Sequence, residues 1–94
     1  MENDLNQSAF QVIFSHQVDS ILRKIAKKDP VFHERIERQL MKIARDPYLG
    51  KPLRYVLRNQ RRVHVGSFVI VYEIKGSEIH VVDFDHHDKI YGRR

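Results

Sequence analysis

The hydrophobic period of this chain changes part-way along it, and few folds accommodate that change. Between residues 18 and 44 the apolar residues recur with the period of a helix. Val18, Ile21, Leu22, Ile25 and Ala26 fall at i, i+3, i+4, i+7 and i+8, one stripe of an amphipathic helix. Ser15 stands where an N-cap belongs, and Lys27 and Lys28 suit the negative end. Asp29-Pro30 then stops this helix and starts another, with Asp as cap and Pro in the first turn. Phe32, Ile36, Leu40 and Ile43 define the buried face of the second helix, with Met41 and Ala44 at its margin. Pro47 disfavours helix at the residue before it, so the end is expected near Arg45-Asp46. So short a turn makes the pair an antiparallel hairpin.

After residue 60 the period becomes that of strands. Arg61 to Val65 alternates, with Val63 and Val65 on one face and Arg62 and His64 on the other. Gly66-Ser67 reads as a hairpin turn, and Phe68 to Ile74 as a central strand, apolar almost throughout. Lys75-Gly76-Ser77 turns again into a last strand, Glu78 to Phe84. Upstream of the helices, Ala9 to Phe14 is rich in β-branched and aromatic residues and reads as a first strand. Residues 48–60 are expected to form a loop, with a short strand at Tyr55-Val56-Leu57. The order β-α-α-β-β-β implies an α+β domain: a helical hairpin across one face of a small, mainly antiparallel sheet. The other face is left free to bind, and Asp85 to Tyr91 leaves the sheet edge as a polar tail. A chain of 94 residues holds one such core, assigned to residues 9–94 behind a polar tail of residues 1–8.

With no cysteine, the chain has neither a disulfide framework nor a thiolate metal site, which suits a reducing cytoplasm. The first residues are polar and acidic, so a signal peptide is not expected. No apolar run approaches the roughly 20 residues of a membrane helix. The net charge of +5 favours polyanionic partners. Its location says more than its size. Arg45, Lys51, Arg54, Arg58, Arg61 and Arg62 are opposed only by Asp46, whereas the helices mix signs, as in Glu34, Arg35, Glu37 and Arg38. A phosphate backbone is the natural ligand of such a stretch, and a solvated basic loop is the plainer alternative.

Candidate chemistry falls in two places. Arg62 and His64 project from one strand face, and His86, His87 and Tyr91 follow the last strand. Imidazoles titrate near neutral pH and suit proton transfer, while arginine stabilises the negative charge of a phosphorane-like transition state. Asp83, Asp85 and Asp88 surround the histidine pair. Adjacent residues of an extended chain point to opposite sides, however, and no helical His-x-x-x-His or Cys/His spacing occurs, so no metal and no cofactor are expected. His33 and His80 read as surface residues, His16 as a first-turn helix residue, and Tyr72 as part of the core.

Three segments in order carry a family pattern: Gly50-Lys51-Pro52-Leu53, then Arg61 through Ile74, then His86-His87-Asp88-Lys89-Ile90-Tyr91. Together with Asp29-Pro30 and Asp46-Pro47 they span roughly residues 10–91, and they resemble the RelE/ParE toxin superfamily. The resemblance implies the toxin of a type II toxin–antitoxin system. It would be a metal-independent, ribosome-dependent endoribonuclease that cuts messenger RNA in the A site and inhibits translation. A RelB-like acidic antitoxin would hold it silent in a heteromeric complex. Arg62, His86 and Tyr91 match the pattern, whereas His64 and His87 stand where arginine is frequent. Val69 replaces a third-strand arginine tied to phosphate stabilisation, and Asp85 replaces a glycine. The catalytic set is thus Arg62, His64, His86, His87 and Tyr91, with His87 or His64 moving the proton and Tyr91 stacking on a base. Lys51, Arg54, Arg58, Arg61 and Lys89 would hold RNA phosphates. The lost arginine keeps two alternatives open: a non-nucleolytic ParE-like inhibitor of gyrase, and a degenerate toxin that only binds its antitoxin.

Overall fold

The computed structural model describes residues 10–53 and 59–92. Strand β1, Gln11–Phe14, leads into helix α1, His16–Lys28, and then helix α2, Pro30–Arg45. The caps lie where the side chains dictate. Ser15 accepts a hydrogen bond from the Val18 N–H at 3.1 Å, and Asp29 accepts one from Phe32 N–H at 3.1 Å. A 3-10 turn, Pro47–Leu49, precedes a two-residue strand β2, Lys51–Pro52. Strands β3, Gln60–Val65, β4, Phe68–Lys75, and β5, Glu78–His86, form a meander that ends in a short helix α3, His87–Gly92. The sheet order is β1-β5-β4-β3-β2, with β1 parallel to β5 and the other pairs antiparallel. Both hairpin turns, Gly66-Ser67 and Gly76-Ser77, place their glycine at φ +61°, which β-carbon sterics disfavour for other residues.

The amphipathic hairpin covers one face of the sheet. Val18 and Leu22 of α1 and Ile36, Leu40 and Ile43 of α2 pack against Val63, Val65, Ile70, Tyr72, Ile79, Val81 and Phe84. Tyr72 is fully buried, and its hydroxyl is saturated: it donates to the Pro47 carbonyl at 2.7 Å and accepts from the Gly50 N–H at 3.1 Å. This explains Gly50, because a Cβ there would collide with the Tyr72 hydroxyl and come within 2.9 Å of the Arg62 carbonyl. Burial raises the Tyr72 pKa above the ordinary 10.0, against the lowering effects of the Gly50 hydrogen bond and the Arg61 charge.

The α+β class and the helical hairpin agree with the sequence reading, and both helices begin and end where it set them. Three features differ. Strand β5 runs two residues further, to His86, and the expected polar tail is the helix α3. The second sheet face is therefore not open: Ile90 of α3 packs with Leu53, Val69 and Val71 in a separate small core, all buried. The pairing of Lys51–Pro52 with Arg61 and Arg62 was not anticipated either. The expected strand at 55–57, the tail of residues 1–8, and Arg54 and Arg58 lie outside the described residues. Among the described residues no helix is long and apolar enough to cross a membrane.

Candidate active site beneath the C-terminal helix

Pairing registers sort the basic residues onto two faces. Arg62 and His64 stand opposite Val71 and Val69 of β4, on the face that carries α3. Lys51, opposite Arg62 on the edge strand, shares that face and is exposed. Arg61 faces the other way. It stands opposite Tyr72, and its guanidinium donates to the Gly50 carbonyl at 2.7 Å and the Tyr48 carbonyl at 3.3 Å, 5.1 Å over the Tyr48 ring. Its charge is used to fasten the 47–50 turn to the sheet. Arg61 and Arg62, both expected at phosphates, therefore point to opposite faces, as neighbouring residues of a strand do.

Helix α3 assembles the site. The His87 N–H bonds the Ser67 carbonyl at 2.9 Å, which pins the start of the helix to the β3–β4 turn. Ile90 then anchors it over β4, and the next residue, Tyr91, reaches β3. The Tyr91 hydroxyl lies 3.5 Å from His64 Nε2, and the Arg62 guanidinium sits 5.8 Å from the Tyr91 ring centroid. Three residues from two distant segments thus converge. Arg62 also donates to the Pro52 carbonyl at 3.2 Å, while its Nε–H is buried with no hydrogen-bond partner among the described residues. An unsatisfied charged donor costs at least about 1–3 kcal/mol, so the guanidinium gains on meeting an anion that satisfies it. An open cleft of about 270 Å³ adjoins these groups, lined by Gln39, Leu49, Lys51, Arg62, Val63 and His64.

His86 and His87 form a second cluster at the opposite end of α3. Because the strand ends at His86 and the helix begins at His87, the two rings do not diverge as on an extended chain. They stack with centroids 4.5 Å apart at 29°. His86 also meets Phe68 edge-on at 5.9 Å, and its Nδ1 accepts from the Asp88 N–H at 3.2 Å. The His87 Nδ1 lies 3.0 Å from an Asp88 carboxylate oxygen. Lys89 is exposed on the same helix.

Sequence reasoning missed four residues of α2 that border the site. Gln39 of α2 donates to the His64 carbonyl at 3.2 Å and so ties the helical hairpin to strand β3. Arg35, Arg38 and Lys42 line a neighbouring cleft with His64. Their spacing along one helix face was the available signal, masked by the neighbouring Glu34 and Glu37.

The family model described as "ParE toxin of type II toxin-antitoxin system, parDE" matches residues 12–91. RelE4 of Methanocaldococcus jannaschii is 33% identical over 88 residues, covering 90% of this chain and 94% of that protein. The YoeB/ParE toxin of Agrobacterium tumefaciens superposes with a TM-score of 0.74 at 17% identity, over 82% of this chain and 98% of that one. A chain of the RelBE2 toxin–antitoxin complex of Mycobacterium tuberculosis superposes with a TM-score of 0.69 at 22% identity, over 83% and 91% respectively.

Proposed function

Since the chain belongs to the ParE toxin family of type II toxin–antitoxin systems, within the RelE/ParE superfamily, we propose that it is a ribosome-dependent endoribonuclease that cleaves messenger RNA in the A site. The observation that carries this reading is the convergence of Arg62, His64 and Tyr91 beneath α3. His64 takes the proton of a 2′-hydroxyl at Nε2, and the freed oxygen attacks the adjacent phosphorus. Arg62 neutralises the charge that builds on the non-bridging oxygens. The bond to the 5′-oxygen breaks, and that oxygen takes a proton from Tyr91 or from His87. The products are a 2′,3′-cyclic phosphate and a 5′-hydroxyl. Lys51, Lys89 and the partly unsatisfied Arg62 hold the backbone, and His86 flanks it. In this reading the chemistry runs on side chains alone, in the cytoplasm, and an acidic RelB-like antitoxin silences it by covering the site.

Primer extension on a messenger in a purified translating system tests the proposal. Cuts within the A-site codon that persist in His80→Ala and vanish in His64→Ala would support it. An uncut messenger with folded protein would overturn it.

A second reading has its own support. Val69, at the position of the superfamily's phosphate-stabilising arginine, is fully buried under α3. That favours a toxin acting by binding, with gyrase as the target. Inhibition of gyrase supercoiling with no messenger cleavage would decide for it.

A further inference from the structure

We propose that His86, His87 and Asp88 form a binding site for a late first-row divalent ion of the zinc or nickel type. The three residues are consecutive, and the change from strand to helix between His86 and His87 turns their side chains to one side. One ligand atom from each lies within 4.8 Å of the other two. The Asp88 carboxylate spans both rings, with Oδ1 3.0 Å from His87 Nδ1 and Oδ2 3.7 Å from His86 Nδ1. Ligand atoms around a tetrahedral zinc ion, with bonds of about 2.0–2.2 Å, stand about 3.3 Å apart; the His87–Asp88 separation of 3.0 Å is close to that, and the whole set lies within 4.8 Å. Small side-chain rotations close the remainder.

The residue types select the ion. Two imidazoles and one carboxylate suit zinc, nickel or copper, whereas magnesium and calcium prefer all-oxygen shells. The scaffold is already set. His86 is held by the Phe68 ring and the His87 backbone is tied to Ser67, while an ion bound at His86 Nδ1 takes the lone pair that otherwise accepts from the Asp88 N–H. An ion takes the place of the proton that otherwise lies between His87 Nδ1 and Asp88. The His86 and His87 side chains keep 39% and 43% of their surface and Asp88 78%, which leaves coordination positions to water or to a partner's ligand. The site stands whether or not the chain cuts RNA. If it does, the ion competes for His87 and reduces that histidine's part in proton transfer.

Calorimetric titration of zinc chloride and nickel chloride into the untagged full-length chain tests the site, with magnesium chloride as the contrast. The expected result is saturable one-to-one binding of zinc and nickel at micromolar concentrations and none of magnesium. Loss of a mere outer-shell partner weakens a metal site about 10–100-fold, so His86→Ala, His87→Ala and Asp88→Asn should each weaken it at least that much. His80→Ala, which removes the other histidine–carboxylate pair of β5, should bind as the parent does. Histidine ring NMR identifies the ligating nitrogens independently of affinity, and circular dichroism checks that each variant is folded. Absence of zinc binding, or binding unchanged in the three ligand variants, would overturn the proposal. Messenger cleavage is measured separately, so a chain that binds zinc without cutting RNA would remove the ribonuclease reading and leave this site intact.

Discussion

The Tyr91 hydroxyl and His64 Nε2 meet at 3.5 Å across 27 residues of sequence. That distance is the outer limit of a hydrogen bond, so the pair is placed by the backbone more than by its own attraction. The placement comes from α3, whose Ile90 is buried while the adjacent Tyr91 remains 42% exposed and available to a substrate. Tyr91→Phe removes the hydroxyl and keeps the ring beside Arg62. Its stability should stay within about 0.5 kcal/mol of the parent, as for a surface change. If Tyr91 donates the proton to the leaving oxygen, cleavage falls by about 10²–10⁴-fold; if it only stacks, cleavage is nearly unchanged. Single-turnover cleavage kinetics separate the two roles.

Ile90→Ala tests whether α3 is the assembling element. The isoleucine is wholly buried with Leu53, Val69 and Val71, and truncation of such a residue costs about 2–5 kcal/mol. Because this core is small and one-sided, the loss should fall at the lower end and undock the helix before the main core melts. Denaturant titration followed by tyrosine fluorescence should show it. Cleavage should drop with Ile90→Ala even where the domain is fully folded.

Much of this fold was legible because its signals are periodic and repeated. Five apolar residues mark α1, and Ser15 and Asp29 announce their helices by the side-chain oxygens that cap them. Helix α3 was not legible, since six residues with a single buried one contain no repeat to detect. Mistaking it for a tail made the second sheet face look open and the histidine pair look divergent. The opposite orientation of Arg61 was implicit in the alternation that put Val63 and Val65 inside, but clustering of charge along the sequence masked it. The meeting of Tyr91 with His64 needed the third dimension. No spacing rule relates residues joined only by a helix folding back over a sheet.

Val69→Arg inserts the arginine that the superfamily pattern carries at this position. On an open sheet face it would strengthen a phosphate site. Here Val69 has 0% exposure, packs with Val71, Leu53 and Ile90 beneath α3, and stands between His64 of β3 and Asp85 of β5 in the strand registers. Forcing a longer side chain into this filled core costs about 1–3 kcal/mol, and desolvating its charge, even beside Asp85, adds to that. The variant should therefore melt at a markedly lower temperature and lose cleavage, both readable by calorimetry and primer extension. Retained stability with raised activity would mean that α3 lifts off with little cost.

Arg61→Ala and Arg62→Ala should fail in different ways although the residues are neighbours. Loss of Arg61 frees the Gly50 and Tyr48 carbonyls and loosens the 47–50 turn, at about 1–3 kcal/mol, with cleavage by the folded fraction largely kept. Loss of Arg62 removes a donor that is already unsatisfied at Nε, so stability changes less, while cleavage falls sharply. Thermal melts paired with cleavage rates give the comparison directly.

Tyr72 makes stability depend on alkaline pH, and the direction follows from its environment. Burial raises its folded-state pKa above the ordinary 10.0, so the folded state holds the phenol proton more tightly than the unfolded chain does. The stabilisation is fully present below pH 10 and is lost as the pH climbs through the raised folded value. The mechanism is physical: a phenolate could no longer donate to the Pro47 carbonyl and would lie desolvated in the core. Tyr72→Phe should cost about 1–3 kcal/mol at neutral pH for the carbonyl and N–H left unpaired. It should also flatten the alkaline fall in stability. Absorbance titration of tyrosinate, followed alongside circular dichroism, should show in the parent one phenol that ionises only as the fold is lost, and should not show it in the variant.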